Sequence, residues 1–260
     1  MSHNPVIRRM LTESEFSALS EFAAKFPLRF AKAAIIGPRP VPGTPAKINS
    51  GTATFVLLKV GYVAITCDHI VREAQERQAV DPNVIFQIGD AKIDIAAQLI
   101  DQSSYRDIAT LKIQEHQLPD ILTGKEIGTN FFAPDAWPPS RPTEGEYVAF
   151  GGFPGALRTI ESFQDLVFGT WSSGASPVSS SSERQFATHF ERDRWLQSFG
   201  TSEHLAMNVF GGMSGGPAFI LREHSWELVG IVKEYHETFD TVFFSCLASV
   251  RDDGSIEAEI

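Results

Sequence analysis

The sequence predicts an all-β fold made of two strand sets, with a short helical extension in front of them. Three observations predict it. Runs of strand length rich in Val, Ile, Phe and Thr recur at regular spacing from Thr52 onward. A Pro-rich, aperiodic stretch divides them into an earlier and a later set. An apolar stripe of helical period precedes the first set. Short strands at this spacing point to a barrel or a sandwich. The 260 residues suffice for one large domain or two small ones sharing a core, and an apolar fraction of 43% can fill it.

The elements are justified in order along the chain. From Thr12 to Phe26 a helix is expected. Thr12 and Glu15 fit a capping box, and Phe16, Leu19, Phe22, Ala23 and Phe26 then share one face. The stretch from Gly37 to Gly51 carries four prolines and breaks helix. Thr52–Lys59 and Tyr62–Thr66 flank Gly61 and read as a hairpin. Val84–Ile88, Ile93–Ile100 and Ile108–Ile113 continue the strand pattern. Leu118 to Gly145 holds Pro119, Pro134, Pro138, Pro139 and Pro142 and reads as a connection. A second strand set runs from Tyr147 to Val250, interrupted by a Ser-rich stretch, Trp171 to Glu183, that reads as an exposed loop. The expected division is a helical extension over 1–36, a first β unit over 37–125, a linker over 126–145 and a second β unit over 146–260.

Charge and composition exclude several functions. A net charge of −10 and a pI of about 5.2, with no basic run, disfavour nucleic acid as a partner. No stretch approaches a membrane span, and no apolar segment follows Arg8 and Arg9 as a secretory signal requires. A cytoplasmic location is the resulting expectation. Cys67 and Cys246 cannot make a disulfide framework and read as buried thiols.

Chemistry concentrates in three segments. Gly211 to Pro217, GGMSGGP, surrounds Ser214 with glycines, which permit backbone N–H groups to aim together at a developing oxyanion. The donors would be the N–H groups of Gly212 and Ser214. A nucleophilic serine needs a base, and the base needs an orienting group. His69 follows a strand in TCDHIV, and Asp107 opens another in YRDIATLKI. Gly212 to Gly216 also matches G-x-S-x-G, the elbow of α/β-hydrolases. That fold needs a helix after the serine and then acid and His, whereas Pro217 and AFIL follow here. The order His, Asp, Ser is that of the chymotrypsin class.

At these residues the chain resembles the trypsin-like, chymotrypsin-fold serine peptidases of bacterial type. TCDHIV resembles the family's histidine segment, RDIATLKI its aspartate segment and GMSGGP its nucleophile segment. Gly151 to Gly155, GGFPG, resembles a turn early in the second barrel, and Glu227 to Val232 the strand after the nucleophile. The resemblance covers roughly residues 51–250. It implies two packed six-stranded β-barrels with a cleft between them. It further implies a serine endopeptidase: Ser214 as nucleophile, His69 as base, Asp107 as its orienting acid, and an acyl-enzyme intermediate. No metal or organic cofactor is then needed, and the partner is a protein or peptide substrate.

The match also departs from the family. Met213 stands where digestive members carry an acid, so activation by a newly cut N-terminus is not expected. Lys233, Glu234 and Tyr235 are bulky where the family lines its substrate pocket with small residues, and Asn208 falls where pocket-base charge is set. This stretch motivates the alternative, a catalytically silent or latent protease-fold binding module. An acyl hydrolase acting on esters is a third reading. A regulatory protein partner is a further expectation, because a free cytosolic protease is hazardous. His236, Glu237 and Asp240 mimic a metal cluster in composition, but their spacing guarantees no convergence. Cys67, two residues before His69, reads as packing in the barrel. His116, His189, His204 and His224 show no partner pattern.

Overall fold

The computed structural model describes residue 12 and residues 22–39, 47–122, 129–160, 166–189, 210–223 and 225–258. The expected capping box and the early part of the N-terminal apolar stripe, together with Asn208, His204 and His224, lie outside these residues. Residues 22–25 are helical and lead into a 3-10 turn, Pro27–Phe30.

The first strand set forms an antiparallel sheet. In chain order its strands are β1 (Ala31–Pro38), β2 (Asn49–Leu58), β3 (Gly61–Thr66), β4 (Val84–Ile88), β5 (Ala91–Lys92), β6 (Leu99–Ser103) and β7 (Ile108–Lys112). Their spatial order is β5-β4-β1-β2-β3-β7-β6, an open curled sheet of seven strands. The hairpin expected around Gly61 is β2 and β3, with Leu58 opposite Gly61.

The expectation of a closed first barrel is corrected, and the cause is local. The strand expected over Ile93–Ile100 is replaced at its centre by a helical turn, Ile95–Gln98. Asp94 caps this turn by accepting from the Ala97 N–H at 3.3 Å, while the Gln98 amide oxygen accepts from the Asp94 N–H at 2.9 Å. Only two residues remain for β5, and β5 and β6 stay unpaired with each other.

The second set closes. β8 (Tyr147–Gly152) is followed by a small ribbon of β9 (Arg158–Ile160) and β10 (Leu166–Phe168). Then come β11 (Trp171–Ser181), β12 (Gln185–His189), β13 (Pro217–Arg222), β14 (Ser225–His236) and β15 (Thr241–Cys246). The barrel runs β11-β12-β15-β14-β13-β8. The Ser-rich stretch expected as a loop is thus largely a barrel strand. Ser173 and Ser176 are buried with their hydroxyls 3.4 Å apart, so the strand meets the interior with small polar groups that carry no apolar period.

Two cores result. One fills the barrel, around Val148, Phe150, Phe186, Val232 and Phe244. The other lines the first sheet and borrows Phe219, Leu228 and Ile231 from the outer faces of β13 and β14. Ala218 and Ile220, and Val229 and Val232, point into the barrel from the same two strands. Burial on both faces explains why AFIL and LVGIV are unbroken apolar runs. Phe26 of the N-terminal segment stacks on Trp226 at 4.7 Å and meets Phe30 and Phe219 edge-on. Arg222 pins the connection between the sheets: it donates to Glu146 at 2.8 and 3.0 Å and to the carbonyls of Ser140 and Arg141. That bond, against partial burial, holds the Glu146 carboxyl down at about 2. Among the described residues no helix is long and apolar enough to cross a membrane.

Candidate functional site

Where β3 ends, Cys67 takes an extended conformation as the N-cap of a helix, α1 (Asp68–Val80), that the strand pattern did not anticipate. Ile70, Val71 and Ala74 anchor α1, while Arg72 and Arg77 pair with Asp68 and Glu73 one turn back. His69 therefore sits in the first turn of a fixed helix, with its side chain 39% exposed.

Asp107 meets it from the turn before β7. Its φ is +53°, in the left-handed region that Asp tolerates better than most residues. Its carboxylate accepts from His69 Nδ1 at 3.0 Å through either oxygen, and from the His69 backbone N–H at 3.1 Å. Burial pushes this carboxyl up, but the hydrogen bonds and charge of His69, with Lys233 behind them, outweigh it and hold the group below its usual value. The sequence-predicted pair His69–Asp107 is brought together.

Ser214 comes from the opposite side, on the turn before β13. That turn is bonded to the first sheet along its length. The Thr52 N–H donates to the Ser214 carbonyl at 2.8 Å, the Thr52 hydroxyl to the Gly212 carbonyl at 2.8 Å, and the Thr54 hydroxyl to the Gly215 carbonyl at 2.7 Å. Gly212 and Gly215 have φ of +97° and +91°. A Cβ on Gly215 would collide with the Thr52 carbonyl and the Thr66 hydroxyl, so this approach requires glycine. Among the described residues the N–H groups of Gly212 and Ser214 have no acceptor.

The Ser214 hydroxyl, however, donates to the Lys233 carbonyl at 2.9 Å. Among the described residues no hydrogen bond joins it to His69. A thiol also lies beside the pair: one ligand atom each of Cys67, His69 and Asp107 lies within 4.8 Å of the others. Cys67 is fully buried and donates through Sγ to the Val232 carbonyl at 3.2 Å. Burial, and then the charge of Asp107, pushes its thiol well up, so it is a neutral thiol at pH 7.

Lys233 and Tyr235, two of the bulky residues of β14, are held at their side-chain tips by partners within the protein. Lys233 Nζ donates to Gln185 at 3.3 Å, and the Tyr235 hydroxyl to Asp240 at 2.6 Å, with the Tyr235 ring stacked on Phe210 at 4.4 Å. Glu234 is mostly exposed and lies 3.9 Å from Lys233. Asp240 is thereby drawn to Tyr235, and His236 tilts against Phe239 at 4.8 Å. His189 meets the Thr241 hydroxyl at 3.3 Å.

Residues 51–231 match the model of the trypsin-like peptidase domain. The chain belongs to the trypsin-like peptidase family. No curated protein matches it. The active form of the Rv3671c protease from M. tuberculosis is similar over 95% of this chain and 87% of its own, at 16% identity and a TM-score of 0.44. A Glu endopeptidase in complex with MPD is similar over 83% and 85%, at 13% identity and a TM-score of 0.45. The scabies mite inactivated protease paralogue S-I1 is similar over 87% and 92%, at 14% identity and a TM-score of 0.46.

Within the trypsin-like family, then, this member departs from the working arrangement. The expected serine endopeptidase, with an intact Ser214–His69–Asp107 triad, is corrected. The His69–Asp107 pair clusters with Cys67, and Ser214 is held by the strand beside it. A serine without its base is a poor nucleophile. Cys67 is the buried, packed thiol the sequence leads one to expect; its closeness to His69 and Asp107 was not legible, because strand alternation ends at Thr66. As an N-cap, Cys67 turns with the helix start and not with the strand.

Proposed function

We propose that this trypsin-like domain is a catalytically silent or latent binding module that holds an extended peptide or protein segment in the cleft beside His69. The observation that carries the reading is the one-sided pairing of β14. β13 pairs with β14 only from Ser225 to Ile231, whereas β15 pairs with it as far as His236. Among the described residues, Lys233–His236 therefore has one edge without a strand partner. An extended chain adds to such an edge through main-chain hydrogen bonds, with alternate side chains reading the surface. Lys233, Glu234 and Tyr235 would contact that chain, and the N–H groups of Gly212 and Ser214 would serve it as carbonyl donors. The protease fold supports protein or peptide as the ligand class, and the held Ser214 hydroxyl supports binding without turnover.

The test is fluorescence anisotropy with labelled pools of unstructured peptides, beside labelling by a fluorophosphonate. Saturable binding, weakened by N-methylation of the peptide backbone and unchanged in Ser214→Ala, is expected, with the peptide recovered intact by mass spectrometry. Fluorophosphonate labelling that vanishes in Ser214→Ala would overturn the silent reading.

A further inference from the structure

Cys67, His69 and Asp107 are left without a shared role by peptide binding, yet they present a thiol, an imidazole and a carboxylate within 4.8 Å of one another. We propose that these three side chains form a binding site for a borderline-soft divalent cation, with zinc as the fitting ion. The proposal does not depend on the peptide reading.

The donor set is the first argument. A Cys, a His and an Asp together suit zinc, whereas hard cations prefer oxygen ligands alone. Spacing is the second. Tetrahedral bonds of roughly 2.0–2.3 Å put neighbouring ligand atoms about 3.3–3.6 Å apart. His69 Nδ1 and the Asp107 oxygens are 3.0 Å apart, and all three ligand atoms lie within 4.8 Å of one another, so a slight separation of the first pair and a turn of the Cys67 side chain away from the Val232 carbonyl would admit an ion where a proton now sits. Support from the surroundings is the third. Asp107 keeps its bond from the His69 backbone N–H, which orients the carboxylate. The Val232 carbonyl that Cys67 now satisfies also accepts from the Gly215 N–H at 2.7 Å, so it is not orphaned when the thiol ionises.

The step balances simply. The Cys67 thiol proton leaves to solvent as the S–metal bond forms. The neutral imidazole ligates through Nδ1 and carries its one proton on Nε2. Thiolate and carboxylate then cancel the charge of the ion, and three protein ligands leave a position for water. Lys233 is the opposing charge, since it bears on both Cys67 and Asp107. It should weaken the site without touching the ion.

The test is titration of the full chain with Co(II), reading the thiolate-to-cobalt charge-transfer band, with zinc as competitor. One equivalent should raise the band in wild type, and zinc should abolish it. Cys67→Ser should lose the band, and Asp107→Asn should bind at least about tenfold more weakly. Lys233→Met should bind more tightly, a change no merely structural role for the cluster produces. No band in folded wild type at stoichiometric cobalt, or an undiminished band in Cys67→Ser, overturns the assignment. Should Cys67→Ser fail to fold, His69→Ala, altered at a part-exposed side chain, decides it: a retained band there also overturns the site.

Discussion

The open first sheet and the closed second barrel solve the same problem differently. The barrel closes on itself, with the one edge of Lys233–His236 left over among the described residues, and fills its interior almost wholly from its own strands, down to the stacked pair Phe186 and Phe244. The first sheet leaves β5 and β6 apart and completes its core with residues it does not own: Phe219, Leu228 and Ile231 from the barrel, Phe26 and Phe30 from the N-terminal segment, and Val250 and Ile256 from beyond the last strand. The site inherits this asymmetry. His69 and Asp107 stand on the borrowed core, Ser214 on the self-sufficient one, and a line of threonine hydroxyls joins them. The first sheet should be the more sensitive of the two to changes made elsewhere.

The severest way to break the arrangement is at the join. Gly215→Ala would force a Cβ into the Thr52 carbonyl at a φ that disfavours it, and should cost on the order of 4 kcal/mol or more by urea denaturation. A loss under about 1 kcal/mol would mean the two halves are not locked there.

Next come paired core truncations. Phe219→Ala and Phe244→Ala should each cost about 3–5 kcal/mol. Only Phe219→Ala should also loosen β1 and β2 by hydrogen exchange, because its ring meets Phe26, Phe30 and Phe132. Equal loosening by both variants would erase the distinction between borrowed and self-contained cores.

Thr54→Val sharpens the comparison at smaller scale. It keeps the shape but strips the buried Gly215 carbonyl of its hydroxyl donor, for about 1–3 kcal/mol. An unchanged denaturation midpoint would show that the hydroxyl line does not bind the halves.

The smallest effect is on the barrel side, at Glu146. Its folded value, about 2, lies below the usual 4.5, so its bond to Arg222 stabilises fully above about pH 4.5 and is lost as pH falls toward 2. Glu146→Gln should cost about 1 kcal/mol at pH 7, given the partial exposure of the pair. It should match wild type near pH 2. A gap that persists there would assign the loss to packing.

Much of the fold was legible because two-sided burial writes itself as apolar runs. β2, β3, β4, β7 and β13 stand close to where Val, Ile and Phe cluster. β11 was illegible because its buried positions include Ser173 and Ser176, whose hydroxyls meet each other and carry no hydropathy signal. The helix α1 had a signal that could have found it: Ile70, Val71 and Ala74 at helical spacing, with Arg72 and Arg77 each four residues after an acid. The missing closure of the first sheet rests on one cap, Asp94, set within a run that alternates well enough to pass for a strand. At the site, chain order sufficed to pair His69 with Asp107. The orientation of the Ser214 hydroxyl is a rotamer, and no residue pattern encodes which acceptor a rotamer selects.

The two thiols have a practical consequence. Both are free and buried, and burial raises both above the ordinary cysteine value. A thiol in that state reacts with a soluble disulfide only when its surroundings open. Cys67 belongs to the first sheet's core and Cys246 to the barrel's. Each half of the molecule thus carries its own chemical clock, and the two rates of modification would time the opening of each half in the unaltered chain.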